Sequence, residues 1–87
     1  MKHCRHFIDG TLRDPAHDRW LDVHEPATGQ VLAQVAAGDA SDVAAAVAAA
    51  QQAFPQWSTL PNEARAHWLE ALANALESRL EVFAQAE

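Results

Sequence analysis

His24-Glu25-Pro26-Ala27-Thr28-Gly29-Gln30 decides how the first half of this chain is read. Pro26 fixes its own φ and pushes Glu25 into an extended conformation, and Gly29 can take the positive φ that a tight reversal needs. The chain therefore reverses here. On one side Trp20-Leu21-Asp22-Val23-His24 alternates loosely between apolar and polar. On the other, Val31-Leu32-Ala33-Gln34-Val35 is rich in β-formers, so the two flanks predict a hairpin.

Upstream, His6-Phe7-Ile8 and Thr11-Leu12-Arg13 flank Asp9-Gly10, the residue pair that a two-residue type I′ turn requires. A first, smaller hairpin follows from that. Asp14-Pro15-Ala16-His17-Asp18-Arg19 is polar and carries a proline, which suits an exposed connection between the hairpins. Residues 1–37 thus read as β-hairpins and loop.

Downstream the period changes. Gly38-Asp39 opens a helix expected over 38–55: Asp39 can accept from free backbone N–H groups, and Ser41 and Asp42 add acceptors and negative charge at the positive end. Val43, Val47, Ala50 and Phe54 make one stripe, and Pro55 is expected to stop the helix, leaving Trp57 in the connection. A second helix is expected over 61–87. Pro61 is tolerated in a first turn, Glu63 is favourable there, and Trp68, Leu69, Leu72, Leu76, Leu80 and Phe83 keep a helical period. It reaches Glu87 without glycine, proline, asparagine or a basic last turn, which is how a truncated helix reads.

These residues, taken in order, resemble one family. Phe7-Ile8-Asp9-Gly10, Pro26-Ala27-Thr28-Gly29, Ala37-Gly38-Asp39, Ala53-Phe54-Pro55-Gln56-Trp57 and Leu60-Pro61-Asn62-Glu63-Ala64-Arg65 look like the amino terminus of an aldehyde dehydrogenase. Glu25 stands where that family usually carries asparagine. The resemblance implies an α/β parent fold with a Rossmann-like cofactor domain, of which this segment, α+β by itself, would be the amino-terminal part. It implies oxidation of an aldehyde to a carboxylate with NAD or NADP, in a homo-oligomer, with the remainder of the chain as the segment's partner. The closing Phe83-Ala84-Gln85-Ala86-Glu87 looks most like the branch that oxidises muconic semialdehydes.

Family members attack the aldehyde with a cysteine, pass hydride to the nicotinamide and hydrolyse the thioester with a glutamate base. Those residues lie far downstream in the family. Cys4 matches neither the motif nor the place of that nucleophile, and a terminal thiol without a fixed base reads as incidental. Gly10, Gly29 and Gly38 are too far apart for a dinucleotide fingerprint or a P-loop. No catalytic or cofactor-binding residue is therefore assigned, and no cofactor is expected on the segment alone.

No metal ligand is assigned either. His3 at the third position could take Cu(II) or Ni(II) adventitiously with backbone nitrogens, beside Cys4 and His6. The resemblance makes His24 the position whose carbonyl helps hold a structural monovalent cation in some members, with its other ligands outside this sequence. His17, His24 and His67 read as surface residues, and Glu25 beside His24 would point to the opposite face of a strand.

Bulk properties agree with a scaffold. Of 87 residues, 20 are alanine, so an apolar content of 49% leaves few large side chains for an interior. The net charge of −6 disfavours nucleic acid as a partner. One cysteine cannot form an internal disulfide, no apolar leader follows Met1-Lys2-His3-Cys4-Arg5, and no stretch reaches the ~20 apolar residues of a membrane helix. No membrane partner and a reducing cytoplasm are the expectations. The rival reading is a stand-alone helical interaction module whose Trp68 to Phe83 stripe docks in a partner's groove.

Overall fold

The computed structural model describes residues 2–87, in two units that span 1–53 and 54–87. In the first unit five strands precede a helix: β1 Lys2–Cys4, β2 His6–Ile8, β3 Thr11–Arg13, β4 Trp20–His24, β5 Val31–Ala36 and α1 Ala40–Ser58. The unit boundary falls inside α1. The second unit holds the rest of α1, then α2 Asn62–Ser78 and α3 Leu80–Ala86.

Both expected hairpins form. β2 and β3 pair antiparallel with Ile8 opposite Thr11, and Asp9 and Gly10 between them take φ of 54° and 74°, the two positive values of a type I′ turn. β4 and β5 pair antiparallel around residues 25–30. There the Glu25 amide donates to the Gln30 carbonyl at 2.8 Å and the Gly29 amide to the Glu25 carbonyl at 2.7 Å, with Gly29 at φ 73°. The Thr28 hydroxyl donates to Glu25 Oε2 at 2.9 Å, so Glu25 works as the side-chain acceptor inside its own turn.

Residues 2–4, to which the sequence assigns no element, form a strand. β1 lies parallel to β5, pairing Lys2 with Ala33, His3 with Gln34 and Cys4 with Val35, to give the sheet order β1-β5-β4. Three residues without β-branching carry no readable period, and their partner lies some 30 positions away. Side-chain contacts across the sheet fix the register instead.

The connection between the hairpins is exposed as expected, except at one residue. Pro15 is buried, the Asp18 amide donates to the Pro15 carbonyl at 3.0 Å, and Asp18 itself takes a positive φ of 51°. The Ala16 amide donates to Asp42 Oδ1 at 3.0 Å, which ties this loop to the start of α1.

Three helical expectations are corrected. α1 does not stop at Pro55 but runs through Trp57 to Ser58, because a proline in the last turn forfeits one amide bond while the exit is secured by side chains. The Thr59 hydroxyl donates to the Pro55 carbonyl at 3.0 Å, and Arg65 reaches back to the Leu60 carbonyl at 2.9 Å. Pro61 is the N-cap residue of α2 rather than part of its first turn. The single second helix is two, broken at Arg79 with φ −123° and ψ 26°. Just before the break the Ser78 hydroxyl donates to the Ala75 carbonyl at 2.8 Å, a back-bond that bends helices.

Very little of this is interior. Ile8, at 8% exposure, and Pro15 are the buried residues among those described. The β2–β3 hairpin sits against an alanine face of α1, leaving a shallow groove of about 400 Å³ that Phe7, Ile8, Ala46, Ala49 and Ala53 help to line. Of the expected stripe of Val43, Val47, Ala50 and Phe54, the three large side chains are exposed, while Ala50 lines the groove. In the second unit Trp68, Leu69, Leu72, Leu76, Leu80 and Phe83 are all exposed.

Candidate functional site

The densest cluster of ionisable side chains stands at the start of α1. Asp39 is its N-cap: Oδ1 accepts from the Ser41 amide at 2.9 Å, the Asp42 amide at 3.1 Å and the Ser41 hydroxyl at 2.6 Å. Asp42 reciprocates, its Oδ2 accepting from the Asp39 amide at 3.1 Å, which closes a capping box. The two carboxylates thus answer free amides at the start of the helix, and the Ser41 hydroxyl adds a donor to Asp39.

Two histidines face this box. His17 Nδ1 meets Asp39 Oδ2, and His6 Nε2 lies 3.5 Å from Asp42 Oδ2. The Asp42 side chain is only 11% exposed, and the His6 ring nitrogen beside it is buried without a hydrogen bond of normal length. The Ser41 hydroxyl, the Asp42 amide and His17 together hold the Asp39 carboxyl well below the usual carboxylate range. Gly38 leaves room for the ring, since a Cβ there would stand 3.3 Å from His6 Cε1.

Chemically the cluster is a fastening. The amides that would meet an anion at a helix N-terminus are already engaged by carboxylates, which also place negative charge there, so a phosphate does not fit. Nor do the glycines make a cradle: Gly10 and Gly29 serve two separate hairpin turns and Gly38 packs on His6. Among the described residues no group of three or more His, Cys, Asp or Glu is arranged to hold a metal ion, and no helix is long and apolar enough to cross a membrane.

The other residues singled out from sequence are dispersed. Cys4 is exposed on β1, and no base is given to it by any hydrogen bond in the described residues. His3, read as a possible copper or nickel ligand, sits in β1 with its Nε2 3.1 Å from Gln34 Oε1 and its ring against Trp20. His24 ends β4 next to an irregularity in the β4–β5 register. His67 lies on α2 edge-on to Trp68, with ring centroids 5.7 Å apart. Sequence reasoning did not find the His6–Asp42 and His17–Asp39 pairs, which join residues 36 and 22 positions apart and leave no local pattern.

The pattern of the aldehyde dehydrogenase family matches residues 12–87, most of the chain. The chain belongs to the aldehyde dehydrogenase family. It is 36% identical over 87 residues to a 5-carboxymethyl-2-hydroxymuconate semialdehyde dehydrogenase of Escherichia coli, covering 100% of this chain and 18% of that protein. It is 42% identical over 87 residues to a vanillin dehydrogenase of a Pseudomonas species, covering 99% and 18%. Among solved structures, PnpE in complex with nicotinamide adenine dinucleotide superposes with a TM-score of 0.90 at 39% identity, covering 94% of this chain and 17% of that one. The chain thus spans less than a fifth of the aldehyde dehydrogenases it matches. By itself the segment is α+β, five strands followed by three helices.

Proposed function

We propose that these 87 residues are the amino-terminal scaffold of an enzyme that oxidises an aldehyde to its carboxylate with NAD, contributing the outer hairpins and first helices of the cofactor-binding domain and no catalytic, cofactor-binding or metal-binding residue. The single observation that carries this is the uncovered apolar surface: helices whose large side chains all face outward need further protein to cover them, and the relatives are more than five times as long. The capped α1 terminus and the separated glycines support the absence of a cofactor contact. The working enzyme is a homo-oligomer in a reducing cytoplasm, and a muconic semialdehyde is the substrate favoured by the closing pentapeptide and by the Escherichia coli relative.

The test is a chimera in which residues 1–87 replace the matching segment of an aldehyde dehydrogenase of known substrate. Aldehyde-dependent reduction of NAD is expected to persist with the host's substrate preference, while the unattached 87-residue chain shows no turnover. A chimera that melts cooperatively and binds NAD but does not turn over would defeat the scaffold reading, and so would one whose substrate preference shifts.

A further inference from the structure

The three-stranded sheet has two unlike faces. On one, His3 of β1, Gln34 of β5 and Asp22 of β4 stand in a row, with His3 Nε2 3.1 Å from Gln34 Oε1 and the Gln34 amide donating to Asp22 Oδ1 at 2.8 Å. Trp20 shares that face, its ring 4.9 Å from the His3 ring and its indole N–H donating to Asp18 Oδ1 at 2.9 Å. The polar groups there answer one another. Strand alternation turns the flanking rows to the other face: Cys4, Val35 and Leu21 in one, Lys2, Ala33 and Val23 in the other. Apart from Lys2 at the rim, that face is apolar. Yet Leu21 is 58% exposed, Val23 41% and Val35 36%, and Cys4 is exposed beside them.

We propose that this apolar face is a docking surface for the part of the enzyme chain that follows residue 87, and that Cys4 is buried beneath it in the assembled enzyme. The face is too small for a separate partner: its exposed area is roughly 300 Å², against the ~800 Å² that each side contributes to a stable interface between proteins. A second copy held here alone would gain too little to offset the entropy of association, a cost that a segment tethered in the same chain does not meet. Most of the relatives' length supplies such a segment, since this chain spans 18% of the Escherichia coli relative. Ala33, Val35 and Cys4 are small enough to let a neighbouring element come close, and the Lys2 stem can lie along the rim with its charge in water. Once the face is covered, packing shields the Cys4 thiol from reagents. The inference rests on the scaffold reading, because it takes the occupant from the same chain.

Cysteine alkylation of the chimera described above tests it, with the Cys4 peptide resolved by mass spectrometry and chimeras made in two hosts so that one folded protein suffices. Cys4 should react with iodoacetamide at least roughly tenfold more slowly in the native chimera than in urea. Val35→Asp, which charges the middle of the face, should raise the native rate severalfold, while Asp22→Asn on the opposite face should leave it unchanged. A photo-reactive phenylalanine analogue in place of Leu21 identifies what covers the face: cross-linking should leave the mass of a single chain on a denaturing gel and join that position to a peptide beyond the grafted segment. Cys4 that alkylates in the folded, active chimera as fast as in urea would overturn the docking surface and leave the scaffold reading standing. A cross-linked product of doubled mass would assign the face to a second copy and overturn the same-chain occupant. A chimera that folds and protects Cys4 but does not turn over would support the docking surface while defeating the scaffold reading.

Discussion

The outward-facing row on α2 and α3 makes a quantitative prediction. Trp68, Leu69, Leu72, Leu76, Leu80 and Phe83 range from 45% exposed at Leu76 to 70% at Leu80, so about half of each is still available for burial. Full burial of such a side chain is worth ~1.5 to 3 kcal/mol, which leaves about 5 to 9 kcal/mol uncollected on each copy of the chain. Two copies that covered one another would gain roughly twice that, against an association cost of about 4 to 15 kcal/mol. At mid-range the balance is about 4 to 5 kcal/mol in favour of association, which corresponds to a Kd in the sub-millimolar range. Leu72→Gln/Leu76→Gln/Leu80→Gln removes about half of the gain and should weaken association at least roughly a hundredfold. Sedimentation equilibrium from roughly 5 to 200 μM reads this directly, and near-ultraviolet circular dichroism from Trp57 and Trp68 reports whether packing is fixed. A native chain that stays monomeric throughout, with sharp aromatic bands and cooperative melting, would refute the reasoning and favour a self-sufficient interaction module.

Three further outcomes are expected. Gly29→Val should cost about 1 to 3 kcal/mol through backbone strain alone, because φ is 73° and a Cβ meets nothing within 4 Å; urea unfolding of the chimera described above would measure it, with turnover per folded molecule unchanged. Arg65→Ala strips the Leu60 and Ser58 carbonyls of a donor and should fray the end of α1, by about 1 to 2 kcal/mol in the exchange of amides 57–60; Lys at 65 should restore only part of it. Asp39 has a folded-state pKa below its unfolded value, so its contribution is fully present above about pH 4 and is lost as the pH falls through the folded value. Asp39→Asn keeps a capping side chain but should flatten the acid limb of a helicity titration, and an unaltered limb would show that other carboxylates govern it.

How much was legible follows from range. The Asp9-Gly10 turn and the Pro26 to Gly29 reversal are written in adjacent residues whose φ values only a few side chains tolerate, and both hairpins follow. The Asp39 cap is equally local. β1 was not legible, because a three-residue parallel strand is defined by its partner. On α1 the apolar period grouped Val43, Val47, Ala50 and Phe54 in one stripe, yet it could not say that the hairpin would choose the alanines and leave the large side chains exposed. The break at Arg79 has no glycine or proline to announce it.

The parallel pairing of β1 also sets an order of assembly. As the chain leaves the ribosome, the β2–β3 hairpin can close within a few residues of emerging, and β4 can fold back on β5 across a six-residue loop. Residues 2–4 come out before all of these, yet Lys2 has to wait for Ala33. Closing that loop costs more entropy than either hairpin turn, so it is repaid only once the β4–β5 edge is there to receive it. The first strand of this sheet to be synthesised is thus the last to be placed, and during that interval the bare edge of β5 is where a nascent chain of this kind is most open to pairing with the wrong strand.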